Sequence, residues 1–138
     1  MNSPSETPDR RAAPVTANPV VHVEIPVTDM ERARGFYEDV MGLRFSRRKV
    51  DGYDMAFAKH EPGASGASLA LAKGDVYAPG KTGPVIYFDL SDIPRVIARA
   101  LARGGRVLYP PTLVADVGLV AEIEDSEGNR IGLTSAAD

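Results

Sequence analysis

The order of apolar and polar residues divides the chain into short strands and two helices. From Val20 to Val27, apolar and β-branched residues alternate with the polar His22 and Glu24, which predicts a strand with one polar face. The next apolar residues recur at intervals of three or four, as on one face of a helix: Met30, Ala33, Tyr37 and Val40. A further strand is predicted where a period of two returns, at Tyr53, Met55 and Phe57.

Two local motifs predict where the first helix begins and ends. Thr28 is followed three residues later by Glu31, the spacing of a capping box, in which both side chains bind free backbone N–H groups. Gly42 follows the last apolar position, and glycine is the usual residue at a left-handed helix stop. We therefore expect a helix that begins after Thr28 and ends at Gly42.

The second half of the chain repeats the first at a fixed distance of 63 residues. This distance separates matching polar residues and glycines: Asp29 and Asp92, Arg32 and Arg95, Gly42 and Gly105. It also separates matching apolar residues: Val23 and Ile86, Ile25 and Phe88, Val27 and Leu90, Met30 and Ile93. Because the match needs no gap from Val23 to Gly42, we interpret it as an internal duplication.

Each copy is expected to form one βαβββ module. In the second copy the helix starts after Ser91 or Asp92, and the strands are expected near residues 85–90, 106–109, 119–124 and 130–134. Module 1 spans residues 19–73 and module 2 spans 84–135, joined by a linker at 74–83 that holds Pro79, Gly80 and Gly83. Residues 1–18 hold little to bury and are predicted to be a disordered tail.

This pattern predicts the fold class α+β, with two tandem βαβββ modules forming a curved, cup-like mixed sheet. Neither module can bury both faces of its sheet alone, so the two sheets should share a cup with the helices outside.

Composition and charge argue against several classes of function. A length of 138 residues fits one domain, and a formal net charge of -3 provides no general attraction to nucleic acid or anionic membranes. The chain has no cysteine, which excludes disulfides and thiolate chemistry. No apolar run is long enough to span a membrane and no secretory signal is recognisable, so the cytoplasm is the expected location. The basic residues at 44–49 are interpreted as a solvated edge strand.

Two segments resemble a known family. HVEIPVTDMERARGFY at residues 22–37, with Val40-Met-Gly42 after it, is similar to the opening of a vicinal oxygen chelate domain. EDSEGNRIGL at residues 124–133 resembles the closing turn and strand of that superfamily, which includes glyoxalase I, the bleomycin-resistance proteins and the extradiol dioxygenases. The resemblance extends from about Pro19 to Ser135 and implies the duplicated fold, but one fold hosts many chemistries.

The resemblance also implies a divalent ion held by His or Glu residues from the first and last strands of each module. His22 matches one of these positions, whereas Val85 has no donor and Gly132 stands where a Glu is expected. The corresponding strand of module 1, residues 67–71, offers nothing stronger than the Ser68 hydroxyl. We therefore expect no retained tight metal site, with His22 as the only family ligand position kept, and a weakly held divalent metal as the alternative.

The inner face of the cup provides the candidate site. His22 and Glu24 share one strand face, the repeat places Tyr87 on the matching face, and we predict that Glu122 also points inward. The candidate ligand-binding residues are His22, Glu24, Tyr87, Met55 and Phe57. Glu24 and Glu122 are the candidate general base and acid, since burial near another carboxylate raises the pKa of a carboxylic acid. For each of these residues a purely structural role is the competing interpretation.

Three hypotheses about function follow. The first is a metal-independent, small-molecule-binding protein of the glyoxalase/bleomycin-resistance type, acting as a homodimer. The second is a lyase, isomerase or epimerase of the same superfamily that uses Glu24 or Glu122 as base, with or without a weakly held metal. The third is an assembly module whose cavity is vestigial. The missing donors at Val85 and Gly132 favour the first over a metal-dependent enzyme.

Overall fold

The computed structural model describes residues 10–136, which form two four-stranded sheets and two helices. The first half contains β1 (His22–Val27), α1 (Met30–Met41), β2 (Phe45–Val50), β3 (Tyr53–Ala58) and β4 (Ser68–Lys73). The second half contains β5 (Ile86–Asp89), α2 (Ile93–Ala102), β6 (Arg106–Val114), β7 (Gly118–Glu124) and β8 (Arg130–Ser135). In residues 10–136 no helix has the length and apolar character needed to cross a membrane.

The two sheets have the same topology, as the repeat predicts. Their strand orders are β1-β4-β3-β2 and β5-β8-β7-β6, and in each the first strand runs parallel to the last one. The pairing register is also repeated, because Glu24 lies opposite Ala70 as Tyr87 lies opposite Gly132. The predicted α+β fold of two tandem βαβββ modules is confirmed, although the sheets do not close into a barrel.

Both helices pack against one continuous core that draws side chains from the two modules. The apolar residues that the spacing predicts for α1 are buried there, namely Met30, Ala33, Tyr37 and Val40, and so are Val96 and Ala100 of α2. The alternate residues of β1, Ile25 and Val27, are each only 1% exposed and face the same core. The opposite face of β1 carries His22 and Glu24, which are exposed.

The predicted capping box at Thr28 and Glu31 is wrong. The N-cap of α1 is Asp29, whose Oδ1 accepts a hydrogen bond from the backbone N–H of Arg32 at 3.0 Å. The Glu31 side chain turns to Arg34 and Arg47 instead of the helix end. A residue of module 2, Glu127, accepts the free N–H groups of Thr28 and Asp29, each at 2.9 Å.

The turn between β7 and β8, residues 125–129, is docked into module 1. The buried Asp125 accepts a hydrogen bond from the Tyr37 hydroxyl at 2.6 Å and from the backbone N–H groups of Glu127 and Asn129. The Asn129 amide donates to the carbonyl of Pro26 at 2.8 Å, which ties the turn to β1. Burial, followed by the neighbouring Asp125 carboxylate, raises the pKa of Tyr37 well above its ordinary value, so the phenol remains a donor.

The edge strand β6 differs most from expectation. The strand expected at 106–109 continues to Val114, with two register irregularities against β7 and with Pro110 and Pro111 inside it. Prolines are tolerated in this position because an edge strand leaves one row of N–H groups unpaired. In the other sheet the edge strand β2 carries the basic residues, as expected, and Arg47 pairs with Asp54 and Glu31.

The predicted disordered tail falls largely outside the described residues. Residues 10–18 are exposed and belong to no helix or strand, and the structure does not describe residues 1–9. The module and linker boundaries at 19–73, 74–83 and 84–135 stay predictions, with β4 ending at Lys73 and β8 at Ser135.

We predict that Glu127→Gln makes the folded protein less stable and makes its stability less dependent on pH. Burial alone would raise the pKa of Glu127, but hydrogen bonds from Arg32 and from the backbone of Asp29 and Thr28 outweigh it and hold the pKa at about 2. A carboxyl with a lowered pKa stabilises the fold at pH values above its ordinary pKa of 4.5, and this contribution is lost as the pH falls toward 2. The contribution is roughly 3 kcal/mol.

Urea unfolding of both proteins between pH 2 and 7 measures this contribution. The stability difference between wild type and Glu127→Gln should be largest above pH 4.5 and should shrink toward pH 2. The matched control is Glu61→Gln, an exposed loop carboxylate, which should behave as wild type. A difference that does not change with pH would contradict the assignment.

Candidate functional site

The first group of polar side chains lies on β1, β4 and the linker, on the sheet face opposite the helices. His22 Nε2 lies 3.2 Å from Glu24 Oε2, and His22 Nδ1 lies 2.6 Å from the Ser68 hydroxyl. The other Glu24 oxygen accepts a hydrogen bond from the Tyr77 hydroxyl at 2.7 Å. We call His22, Glu24, Ser68 and Tyr77 the module 1 cluster. About a third of the His22 and Glu24 side chains remains exposed, 34% and 33%.

Aromatic and cationic side chains extend this face. The ring of Phe57 lies nearly parallel to that of His22, with their centroids 6.1 Å apart. The Arg48 guanidinium lies over the Phe57 ring, 4.1 Å from its centre, as in a cation–π contact. Met55 lies two residues before Phe57 on the same strand but is only 4% exposed, so a ligand would meet Phe57 first.

The second polar group lies on the matching face of module 2. The Tyr87 hydroxyl donates to Glu122 Oε2 at 2.8 Å, and the Arg130 guanidinium donates to Glu122 Oε1. We call Tyr87, Glu122 and Arg130 the module 2 cluster. The hydrogen bond from Arg130, followed by that from Tyr87, lowers the pKa of Glu122. The hydrogen bond between Tyr87 and Glu122 also raises the pKa of Tyr87.

The expectation that Glu122 has a raised pKa is therefore wrong. Its nearest charged partner is Arg130, a cation, where sequence reasoning expected another carboxylate. Arg130 is eight residues further along the chain, and only the β7–β8 pairing brings it next to Glu122. Sequence reasoning also missed Tyr77, since nothing local in the linker indicates that its hydroxyl reaches Glu24.

The predicted single cluster of His22, Glu24, Tyr87 and Glu122 is two separate clusters. Within residues 10–136 no hydrogen bond or ring contact joins the module 1 and module 2 clusters. A groove with a volume of about 560 Å³ lies between β1 and the β5–β8 pair. Glu24 and Arg130, one from each cluster, both line it, together with the apolar Val23, Ile25, Ile86 and Ile131. Part of the linker between Ala78 and Pro84 forms another wall.

Comparison with a family model establishes the family. The model of the Glyoxalase/Bleomycin resistance protein/Dioxygenase superfamily matches residues 20–133. The chain belongs to this superfamily, which confirms the resemblance seen in its first and last strands.

Curated relatives include enzymes of this superfamily. The chain is 29% identical over 119 residues to a lactoylglutathione lyase of Haemophilus influenzae, which covers 81% of this chain and 88% of the lyase. It is 28% identical over 120 residues to the putative glyoxylase CFP32 of Mycobacterium tuberculosis, covering 83% of this chain. The match spans only 44% of CFP32, less than half the length of that relative.

Solved structures share the fold. Glyoxalase I of Leishmania major superposes with a TM-score of 0.68 at 21% identity, covering 87% of this chain and 88% of that one. The antibiotic-binding protein TnmS3 of a Streptomyces species superposes with a TM-score of 0.61 at 24% identity, covering 89% and 99% of the two chains. At these identities the likeness concerns the fold alone.

The residues of this chain do not fit the metal that the family implies. Of the expected positions His22 is a donor, whereas Val85 and Gly132 are not, and Ala70 occupies in module 1 the register position of Gly132. A Cβ atom on Gly132 would lie 2.4 Å from the Tyr87 ring, so that ring covers the place of a ligand side chain. In the described part of the chain no three His, Asp or Glu side chains converge.

We predict that the Tyr87 ring makes position 132 intolerant of any side chain. Gly132→Ala should destabilise the protein by about 1–3 kcal/mol, because the Tyr87 ring would have to move. In a Tyr87→Ala background the same substitution should be nearly neutral, and urea unfolding of the four proteins measures this coupling. Gly80→Ala is the control, since a Cβ there meets nothing within 4 Å. An equal loss in both backgrounds would refute the steric explanation.

Proposed function

We propose that this chain is a small-molecule-binding protein of the glyoxalase/bleomycin-resistance type that does not use the superfamily's metal site. The observation that carries the proposal is the groove between β1 and the β5–β8 pair, with Glu24 and Arg130 in its lining. The cytoplasm is the proposed location, on the sequence argument alone.

The groove has the chemistry of a ligand site. Its volume of about 560 Å³ falls within the usual range for small-molecule pockets, roughly 300–1,000 Å³. Apolar side chains form most of its wall, and one carboxylate and one guanidinium provide opposite charges for orientation. The fold of TnmS3, described as an antibiotic-binding protein, supports a binding role for such a chain.

The substitutions at the family's metal positions support binding without a metal. Three of the four positions hold Ala70, Val85 and Gly132, which have no donor atoms on their side chains. Tyr87 and its partners Glu122 and Arg130 fill the module 2 face with hydrogen bonds to one another.

Ligand binding should be detectable by thermal shift with a library of metabolites and antibiotics. A ligand at 100 times its dissociation constant stabilises the fold by about 2.7 kcal/mol. For any ligand found, Glu24→Gln and Arg130→Met should weaken binding at least about tenfold, since each removes a charge worth roughly 1.5–3 kcal/mol in a hydrogen bond. Arg99→Met on α2 is the control.

The same binding measurements test whether ligand binding needs a divalent metal. Addition of EDTA should leave the affinity unchanged, and elemental analysis of the purified protein should find no stoichiometric divalent metal. Affinity that disappears with EDTA would overturn the metal-free proposal, and unchanged affinity in both groove variants would remove the groove as the site.

We also propose that the protein is a homodimer. The open sheet face and the neighbouring edge strand leave large apolar side chains exposed, with Tyr87 at 48%, Tyr109 at 41% and Leu113 at 74%. A second copy of the chain would cover these side chains and enclose the half-open polar clusters.

Sedimentation equilibrium should give twice the chain mass of 14.7 kDa for the wild type. Leu113→Asp should raise the monomer fraction, because it puts a charge into the proposed interface. The control is Val76→Asp, at a linker residue that is 67% exposed. A wild-type monomer, or equal dissociation in both variants, would contradict the proposal.

The alternative is a lyase or isomerase that uses Glu24 as base, with a weakly held divalent metal. The observation that favours it is the geometry of Glu24, whose carboxylate is partly open to solvent and held in place by Tyr77 and His22. The 29% identity to a lactoylglutathione lyase supports a related activity. Assays for that activity with and without divalent ions, in wild type and Glu24→Gln, distinguish this alternative from pure binding.

A further inference from the structure

The module 1 cluster contains a serine, a histidine and a carboxylate in one hydrogen-bonded chain. Ser68 Oγ lies 2.6 Å from His22 Nδ1, and His22 Nε2 lies 3.2 Å from Glu24 Oε2. The parallel pairing of β1 and β4 creates this contact by placing His22 directly opposite Ser68, 46 residues along the chain. Glu24 is in turn held by the Tyr77 hydroxyl at 2.7 Å.

The surroundings select one arrangement of protons for neutral His22. A carboxylate can only accept, so the imidazole proton belongs on Nε2, directed at Glu24. Nδ1 is then an acceptor, and the Ser68 hydroxyl is the donor that faces it. This hydroxyl has a second acceptor in the Val21 carbonyl at 3.2 Å, but the distance to His22 Nδ1 is shorter by more than half an ångström.

We propose that Ser68, His22 and Glu24 act as nucleophile, general base and orienting carboxylate in the hydrolysis of small carboxylic esters. These are the roles of a serine–histidine–acid triad, which is recognised by geometry and not by position in the sequence. The activity uses the same sheet face as the proposed ligand site but does not depend on ligand binding in the groove.

The reaction needs only the ester and water. Ser68 Oγ attacks the ester carbonyl carbon while its proton passes to His22 Nδ1, and the bond from that carbon to the alcohol oxygen breaks. The alcohol leaves with the proton from His22. Water then attacks the acyl group on Ser68 and gives a proton to His22, the bond between carbon and Oγ breaks, and the hydroxyl regains its proton as the acid departs.

Neighbouring side chains indicate the class of ester. Phe57 lies nearly parallel to the His22 ring and offers a flat surface beside the nucleophile. The Arg48 guanidinium lies over the Phe57 ring and adds a positive charge to the same sheet face. Esters of planar or aromatic alcohols therefore suit this face best.

Hydrolysis of 4-nitrophenyl acetate tests the proposal. General base catalysis contributes about 10²–10⁴-fold, so the wild type should release nitrophenolate at least about a hundredfold faster than buffer. Ser68→Ala and His22→Gln should each remove this excess. A fluorophosphonate probe should label the wild type on Ser68, as located by peptide mass spectrometry, and should not label His22→Gln.

Ser46→Ala is the matched control, because Ser46 lies in the same sheet opposite Phe57 but away from His22. It should retain full activity, and thermal unfolding should show that all variants fold. Equal hydrolysis by wild type and Ser68→Ala would overturn the proposal, as would labelling of a different residue. Thermal shift of Ser68→Ala with a ligand measures the proposed binding function separately. A variant that still binds the ligand shows that only the esterase proposal has failed.

Discussion

The architecture depends on the docking of one turn, residues 125–129, into the opposite module. Asp125 is a buried carboxylate, 1% exposed, and is tolerable only because Tyr37, Asn129 and backbone N–H groups all donate to it. Two residues later Glu127 supplies the missing acceptor at the start of α1. The corresponding connection of module 1, between β3 and β4, is exposed along residues 59–67 and makes no such contact. One connection of the duplicated pair thus joins the two halves.

The same turn positions the candidate site. Asn129 donates to the Pro26 carbonyl in β1 and accepts from the Gly80 N–H in the linker, so the β7–β8 turn, β1 and the linker meet at one residue. Arg130 directly follows Asn129 and Glu24 lies two residues before Pro26, and both line the groove. The hydrogen bonds of Asn129 therefore hold together the backbone segments that carry the two charges. A ligand would meet a preorganised pair of charges, which lowers the entropic cost of binding.

Features that depend on residues close together in the chain could be predicted from the sequence, whereas contacts between distant residues could not. The 63-residue repeat predicted two modules of the same kind, and alternation along β1 predicted the shared face of His22 and Glu24, because these features depend on strand period and local order. The capping box failed because the competing acceptor, Glu127, lies 99 residues beyond Thr28. The partnership of Glu122 with Arg130, and that of His22 with Ser68, depend on pairing registers that no local motif specifies.

The duplicated modules also separate the residues that maintain the fold from those that determine chemistry. On the side facing the helices the two copies agree, with Ile25 matching Phe88 and Val27 matching Leu90. On the outer face they differ, since Glu24 in one copy corresponds to Tyr87 in the other, and Ala70 to Gly132. The smaller residue at 132 is required because the larger Tyr87 ring lies over it. The outer faces therefore differ at paired positions on neighbouring strands, where the side chain on one strand limits the size of the side chain opposite.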